Sequence, residues 1–236
     1  MQIFFLPYFG GNAHSWREVI ALLPQFECRA FSLAHSGEKD GEYSVKNAVE
    51  EIETLLLSHA TGEFLLVGHS MGGKFALGVA AKGADDLKGV VLVAPSPPTP
   101  EPIPDAERAR MLSTHGTREA ALETIRGASV REIGGENLEN AVRANLETSE
   151  TDWKNWLEIG SYQDISEVLP AIQIPVLVVI GDGDTGMTPA LMQSEITSKI
   201  AGSRLEIIPN AGHLLPLEAP AELAQKIREF AANCGS

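Results

Sequence analysis

Along the chain, short apolar runs alternate with segments whose apolar residues recur every three or four positions, the pattern of strands and helices alternating in a parallel sheet. "QIFFL" (2–6), "ECRAFSL" (27–33), "EFLLVG" (63–68) and "GVVLVAP" (89–95) read as strands. Between them, "SWREVIALL" and "SVKNAVEEIETLLLSH" read as helices, the second with Val45, Ala48, Val49, Ile52, Leu55 and Leu56 on one face. "MGGKFALGVAAKG" runs as a helix to a glycine stop. From residue 96 the pattern changes. The proline-rich "PSPPTPEPIP" leads into four polar helical stretches, "DAERARML", "TREAALETIRGAS", "LENAVRANLETSE" and "TDWKNWLEIGSYQ", with no strand among them. Alternation resumes with the strand in "IQIPVLVVIGDGD", the helix "PALMQSEITSKIAG", the strand "RLEIIP" and the helix "APAELAQKIREFAA". The expected fold is α/β: a mostly parallel sheet of about six strands with helices on both faces. Residues 1–95 and 169–236 would form one core, and residues 96–168 an inserted helical lid.

Ligands of open parallel sheets gather at the carboxyl ends of the strands, so the residues that follow each strand carry the chemistry. These are Phe9-Gly10-Gly11 after the first, His69-Ser70-Met71 after the third, Asp182 and Asp184 after the fifth, and His213 after the sixth. A serine hydroxyl is a weak nucleophile and needs a base to take its proton and an acid to hold that base in the right tautomer. Ser70, His213 and Asp184 can supply those roles, with Asp182 as the rival acid. In "VGHSMGG" the serine lies on a sharp strand-to-helix junction, where Gly68 and Gly72 let neighbouring backbone approach without a Cβ clash. The N–H of Met71 would then point free at the helix N-terminus, a donor for a developing oxyanion.

G68-H-S-M-G72 resembles the Gly-x-Ser-x-Gly nucleophile elbow of the α/β-hydrolase superfamily in its strand-turn-helix setting, and the chain order Ser, Asp, His is similar too. The resemblance runs from the first strand to the last helix, strengthened by "VLVVIGDGD" and "IPNAGHLLPLEAP", and it implies a small serine carboxylesterase-like member with a helical lid. Where the superfamily has His-Gly before its oxyanion residue, this chain has Pro7-Tyr8-Phe9-Gly10-Gly11. "LPYFGGNA" is similar to the corresponding loop of type II thioesterases, while the spacing to Trp16 suits small carboxylesterases; either resemblance implies that Phe9 gives the second oxyanion N–H. The usual Asp-rich loop after the second strand is degenerate here, "SLAHSGEKD". The superfamily's acid stands three residues beyond the glycine that ends its strand, here Gly181, which favours Asp184 over Asp182. Thioesterase, lactonase and carbon–carbon hydrolase activities share the same triad, and a non-hydrolytic receptor can keep it intact.

Composition narrows this picture. A net charge of −14, with no Lys/Arg cluster set against it, excludes nucleic acid and anionic membrane surfaces as expected partners. No basic n-region precedes "IFFLPYF", no apolar run reaches the roughly 20 residues of a membrane span, and Cys28 and Cys234 read as two reduced thiols, so a cytoplasmic monomer or weak homodimer is expected. "GDGDTG" fails as a calcium loop because Gln193 stands where the bidentate glutamate belongs. His14 and His69 lack a second histidine at ligand spacing, so no metal or other cofactor is expected. Lys74 reads as a solvated or snorkelling lysine, and Arg108, Arg110, Arg118, Arg126, Arg131 and Arg143 as a solvated lid surface. Trp153 and Trp156, at i and i+3, form a stripe that packs or walls an acyl pocket. The candidate substrate contacts are Tyr8, Trp153, Trp156 and Leu214, for a small to medium ester.

Overall fold

Successive side chains of a strand point to opposite faces of its sheet, and the apolar runs use both. The computed structural model describes residues 1–33, 37–39 and 41–234. Its strands are β1 (Gln2–Leu6), β2 (Glu27–Ala30), β3 (Glu38–Lys39), β4 (Glu42–Tyr43), β5 (Phe64–His69), β6 (Leu87–Val93), β7 (Val176–Gly181) and β8 (Arg204–Ile208). Six of them form one wholly parallel sheet in the order β2-β1-β5-β6-β7-β8. Phe4, Leu6, Leu66, Val90, Leu92, Val178 and their neighbours build one apolar layer, while Ile3, Phe5, Leu65, Val91, Val93 and Val179 build the other. A strand covered on both faces reads as a continuous apolar run, which is why these runs are recognisable.

Helices cover each layer. On one side lie α2 (Val45–His59) and α3 (Met71–Lys82); on the other, α1 (Arg17–Ala21) and α10 (Pro220–Cys234). Ser44 caps α2 by accepting the N–H of Asn47 at 3.0 Å, and the predicted face buries Val45, Ala48, Val49, Ile52 and Leu56, with Leu55 half-buried. Gly83 ends α3 in the left-handed conformation at φ 72°, where a side chain is strained. The antiparallel β3–β4 ribbon is unexpected, because two residues are too few to show an alternation. In the degenerate loop "SLAHSGEKD", residues 34–36 and 40 lie outside the described residues.

Residues 96–168 hold α4 (Asp105–Thr114), α5 (Arg118–Gly127), α6 (Gly135–Glu147) and α7 (Glu150–Lys154), which continues through a π-helical turn (Asn155–Ile159) and a 3-10 turn (Gly160–Tyr162). Thr117 and Ser149 cap α5 and α7. A small third apolar cluster joins Ala121, Ile125, Ala141 and Val142 of this segment to Tyr8 and Leu214 of the core, so the helices sit over the carboxyl edge of the sheet. After β7 come α8 (Pro189–Met192) and, after β8, α9 (Leu215–Glu218). Among the described residues no helix is long and apolar enough to cross a membrane.

Candidate active site

The chain leaves β1 for β2 on one side and returns to β5 on the other, so a crevice opens at the carboxyl ends of β1 and β5. Phe9 follows the first of these strands and Ser70 the second. Ser70 stands at φ 52°, ψ −116°, a conformation that costs a side-chain-bearing residue about 1–3 kcal/mol and persists only where the surroundings fix it. They do so here: its N–H donates to Val93 O at 2.9 Å, and its carbonyl accepts from Gly73 N at 2.8 Å and Ser96 N at 3.0 Å. A Cβ on Gly68 would fall 2.3 Å from Gly72 O, and one on Gly72 would fall 2.6 Å from Pro7 O. The glycines are therefore required by close backbone approach. Ser70 starts α3 without capping it, so helix capping does not explain the serine.

His213 and Asp184 arrive on the loops after β8 and β7. A Cβ on Gly181 would lie 2.1 Å from Ala211 O, so a glycine there lets the two loops press together. His213 Nδ1 is 2.7 Å from Asp184 Oδ2, and the N–H groups of Gly186 and Met187 donate to Asp184 Oδ1 at 2.9 Å each. Asp182, the rival, is exposed. Burial alone would raise the Asp184 carboxyl, but the bond and charge of His213, with the two N–H donors, hold it below the usual carboxylate range. Burial alone would lower the His213 imidazole; the bond and charge of Asp184, aided by Glu101 and Glu218, raise it above the ordinary 6.5. With Nδ1–H given to Asp184, Nε2 is left to accept. Among the described residues neither it nor Ser70 Oγ has a hydrogen-bond partner, and both residues line one cavity.

Two groups to which the sequence assigned no role in the site hold His213 in place. Fully buried His69 donates from Nε2 to His213 O at 2.9 Å; burial, and then the neighbouring His213, keep its pKa well below 6.5, so it is a neutral donor. The carboxylate of buried Glu218 accepts the N–H groups of Gly212 and Leu214 beside the histidine, at 2.9 and 3.0 Å, and of Val130 and Arg131 in the lid, at 2.7 and 2.9 Å. The His213 N–H itself donates to Ala128 O at 2.8 Å. The five-residue step from His213 to Glu218 was the available signal in the sequence.

The cavity holding Ser70 and His213 has a volume of about 500 Å³ and is walled by Tyr8, Phe9, Trp156 and Leu214 among others. A smaller one of about 190 Å³ shares Tyr8, Phe9 and Trp156 with it and reaches Met71, but holds neither Ser70 nor His213. The Phe9 N–H has no acceptor among the described residues, and Met71, as the first residue of α3, has no intrahelical acceptor for its own.

Three expectations need correction. Trp153 lines neither cavity: it lies behind Phe9, with ring centroids 4.3 Å apart, stacks on His115 and donates from Nε1 to Met111 O at 3.0 Å. The tryptophan stripe thus divides into a packing residue and, in Trp156, a cavity wall. Lys74 is not solvated. It is wholly buried, and its Nζ donates to Thr99 O at 3.2 Å and Gln163 O at 2.5 Å, clamping the two ends of the lid; burial lowers its pKa to about 8. Arg108 is likewise buried, donating to Leu157 O and to Ser161 Oγ at 2.8 Å, with its guanidinium over the Tyr162 ring. Among the described residues no three His, Cys, Asp or Glu side chains are arranged to hold a metal ion.

Residues 3–226 match the sequence profile of the alpha/beta hydrolase family. The chain is 24% identical over 244 residues to the 2-succinyl-6-hydroxy-2,4-cyclohexadiene-1-carboxylate synthase of Serratia proteamaculans, covering 95% of this chain and 91% of that one. It is 27% identical over 247 residues to an esterase of Mycobacterium tuberculosis, covering 96% and 81%. Among solved structures it superposes on the bromoperoxidase of Bacillus anthracis with a TM-score of 0.84 at 17% identity, covering 98% and 91%.

Proposed function

Because the chain belongs to the alpha/beta hydrolase family, we propose that it is a serine hydrolase that cleaves a carboxylic ester of a small to medium substrate through an acyl-enzyme. The observation that carries this reading is the His213–Asp184 pair at 2.7 Å opening, with Ser70, onto one cavity. Ser70 Oγ attacks the ester carbonyl while His213 Nε2 takes its proton, and Asp184 holds the ring and stabilises the imidazolium. The N–H groups of Phe9 and Met71 stabilise the tetrahedral oxyanion. His213 returns the proton to the leaving alcohol, and water, activated by the same imidazole, releases the acid. The esterase among the relatives supports the choice of an ester.

The test is labelling by a fluorophosphonate together with turnover of short nitrophenyl esters. Both are expected, with the label on Ser70; absence of both would refute the reading. An acyl chain that packs on Trp156 gains about 0.8 kcal/mol per buried methylene, roughly a fourfold rise in kcat/KM for each until the cavity is full. Trp156→Ala is therefore expected to shift the chain-length optimum, whereas Trp153→Ala lowers thermal stability and leaves that optimum in place. An identical shift in both variants would contradict the division between wall and packing.

The imidazole must be neutral to accept the serine proton, and its surroundings raise its pKa. kcat/KM is accordingly expected to fall as pH drops through an apparent value above 6.5, not below it. A pH–rate profile whose acid limb lies below that value would show that the carboxylates around His213 do not act on it as described.

A further inference from the structure

Glu101 takes no direct part in the proposed chemical steps, although its charge acts on His213. It lies where the chain enters the lid and lines the same cavity as Ser70 and His213. Its position is fixed at both ends: its N–H donates to Ser161 O at 2.7 Å, and Ser96 Oγ, itself on the loop that donates to Ser70 O, donates to Oε2 at 3.1 Å. No cation lies within ion-pair distance of it among the described residues. The charged groups that face it are His213 from the loop after β8, Lys74 from α3 and Arg108 from α4. Lys74 spends its ammonium on Thr99 O and Gln163 O, and Arg108 spends its guanidinium on Leu157 O and Ser161 Oγ. Burial raises the Glu101 carboxyl above the ordinary range, against the smaller pull of Ser96, His213, Lys74 and Arg108.

The rest of the cavity does not offset this charge. Its other acidic and basic walls are Glu107, Arg110, Glu123, Asp184 and His213, beside the Tyr8 phenol. Arg110, the one guanidinium there, is held by both oxygens of Glu107 at 2.6 and 2.9 Å and by Glu123 at 3.1 Å. An incoming carboxylate therefore meets no available cation and one fixed carboxylate close to the reacting serine. An incoming ammonium meets an acceptor with no ion-pair partner. We propose that Glu101 is a specificity-determining residue: it makes the pocket select esters that carry an ammonium or a strong hydrogen-bond donor near the scissile carbonyl and reject esters that carry a carboxylate there. This rests on the hydrolase reading and adds the substrate's charge to it.

The experiment compares kcat/KM for three methyl esters of equal chain length, whose free end is an ammonium, a methyl or a carboxylate, in the wild type and in Glu101→Gln. For the wild type, the ammonium ester is expected to exceed the carboxylate ester by on the order of tenfold or more, as opposite charges near one fixed carboxylate require at an intermediate dielectric. In Glu101→Gln, which keeps the shape and the Ser96 contact, that ratio is expected to collapse toward one. The acid limb of the pH profile should also move to lower pH, because one of the negative charges raising His213 is gone. Ser96→Ala, which frees the carboxylate without removing it, is expected to keep the sign of the preference. An equal or reversed preference in the wild type, or an unchanged ratio in a folded Glu101→Gln, would overturn the assignment. If the methyl-ended ester is turned over without charge discrimination, only this inference fails; if no ester is turned over and Ser70 resists the fluorophosphonate, the hydrolase reading fails with it.

Discussion

Ser70→Ala is expected to lower kcat for ester hydrolysis by on the order of 10⁴-fold or more, the loss seen when the nucleophile of an interdependent triad is deleted. The change is clean in structural terms. Alanine keeps the Cβ and therefore the φ of 52° that the elbow imposes, and the hydroxyl it removes has no hydrogen-bond partner among the described residues. The bonds that hold the turn, from Ser70 N to Val93 O and from Gly73 and Ser96 to Ser70 O, are backbone bonds and survive. The thermal midpoint should accordingly stay near that of the wild type while turnover and fluorophosphonate labelling vanish. A variant that keeps more than about a tenth of the activity would remove Ser70 from the role of nucleophile.

Asp184→Asn is the second large effect, an expected loss of roughly three to four orders of magnitude in kcat. The amide can still accept the N–H groups of Gly186 and Met187 through its oxygen, which turns its NH₂ toward His213 Nδ1. Two donors cannot share that position, so the imidazole moves its proton to Nε2, where it can no longer accept from serine. The geometry survives and the tautomer is wrong. Asp182→Asn supplies the contrast, since that side chain is exposed and its backbone N–H, not its carboxylate, bonds to Ile208 O. It is expected to change kcat by less than about threefold, in keeping with ordinary surface substitutions. Steady-state kinetics of the two variants would decide the matter, and a larger loss in Asp182→Asn would reverse the assignment of the acid.

The effects differ because of what surrounds each group. Ser70 and Asp184 both line one cavity, and the Asp184 carboxylate is held by two fixed N–H donors. Removing either leaves a site already organised for its chemistry but unable to start it. Glu218 belongs to a different kind of machinery: it joins four N–H groups across the histidine loop and residues 130–131, and it acts on the reaction through the place and the charge it gives His213.

The sequence by itself determined the central strands of the sheet, because a parallel strand covered on both faces must be apolar at every position, as in "FLLVG" and "VLVVIG". It determined the elbow for a similar local reason: Gly68 and Gly72 stand within two residues of Ser70, at points where a Cβ would strike backbone. It favoured Asp184 over Asp182 through a fixed spacing from the strand end, and the structure sets Asp184, not Asp182, against His213. The helices of residues 96–168 and the lack of strands there were legible, but the fate of the charges on them was not. A lysine or arginine on a helix reads as solvated unless something distant covers it. Lys74 is covered by Thr99 and Gln163, 25 and 89 positions away, and Arg108 by residues 49 and 53 positions away. Trp153 and Trp156 share one helical spacing, yet only the approach of Phe9 from another strand end sends one behind the loop and the other into the cavity. Glu101 lies within a proline-rich run that carries no periodicity at all, and it meets the cavity of Ser70 and His213 only because residues 96–168 fold back over the sheet edge. Tertiary structure decided these points because burial of a charge depends on which carbonyls and carboxylates arrive from elsewhere in the chain, and no local pattern records that arrival.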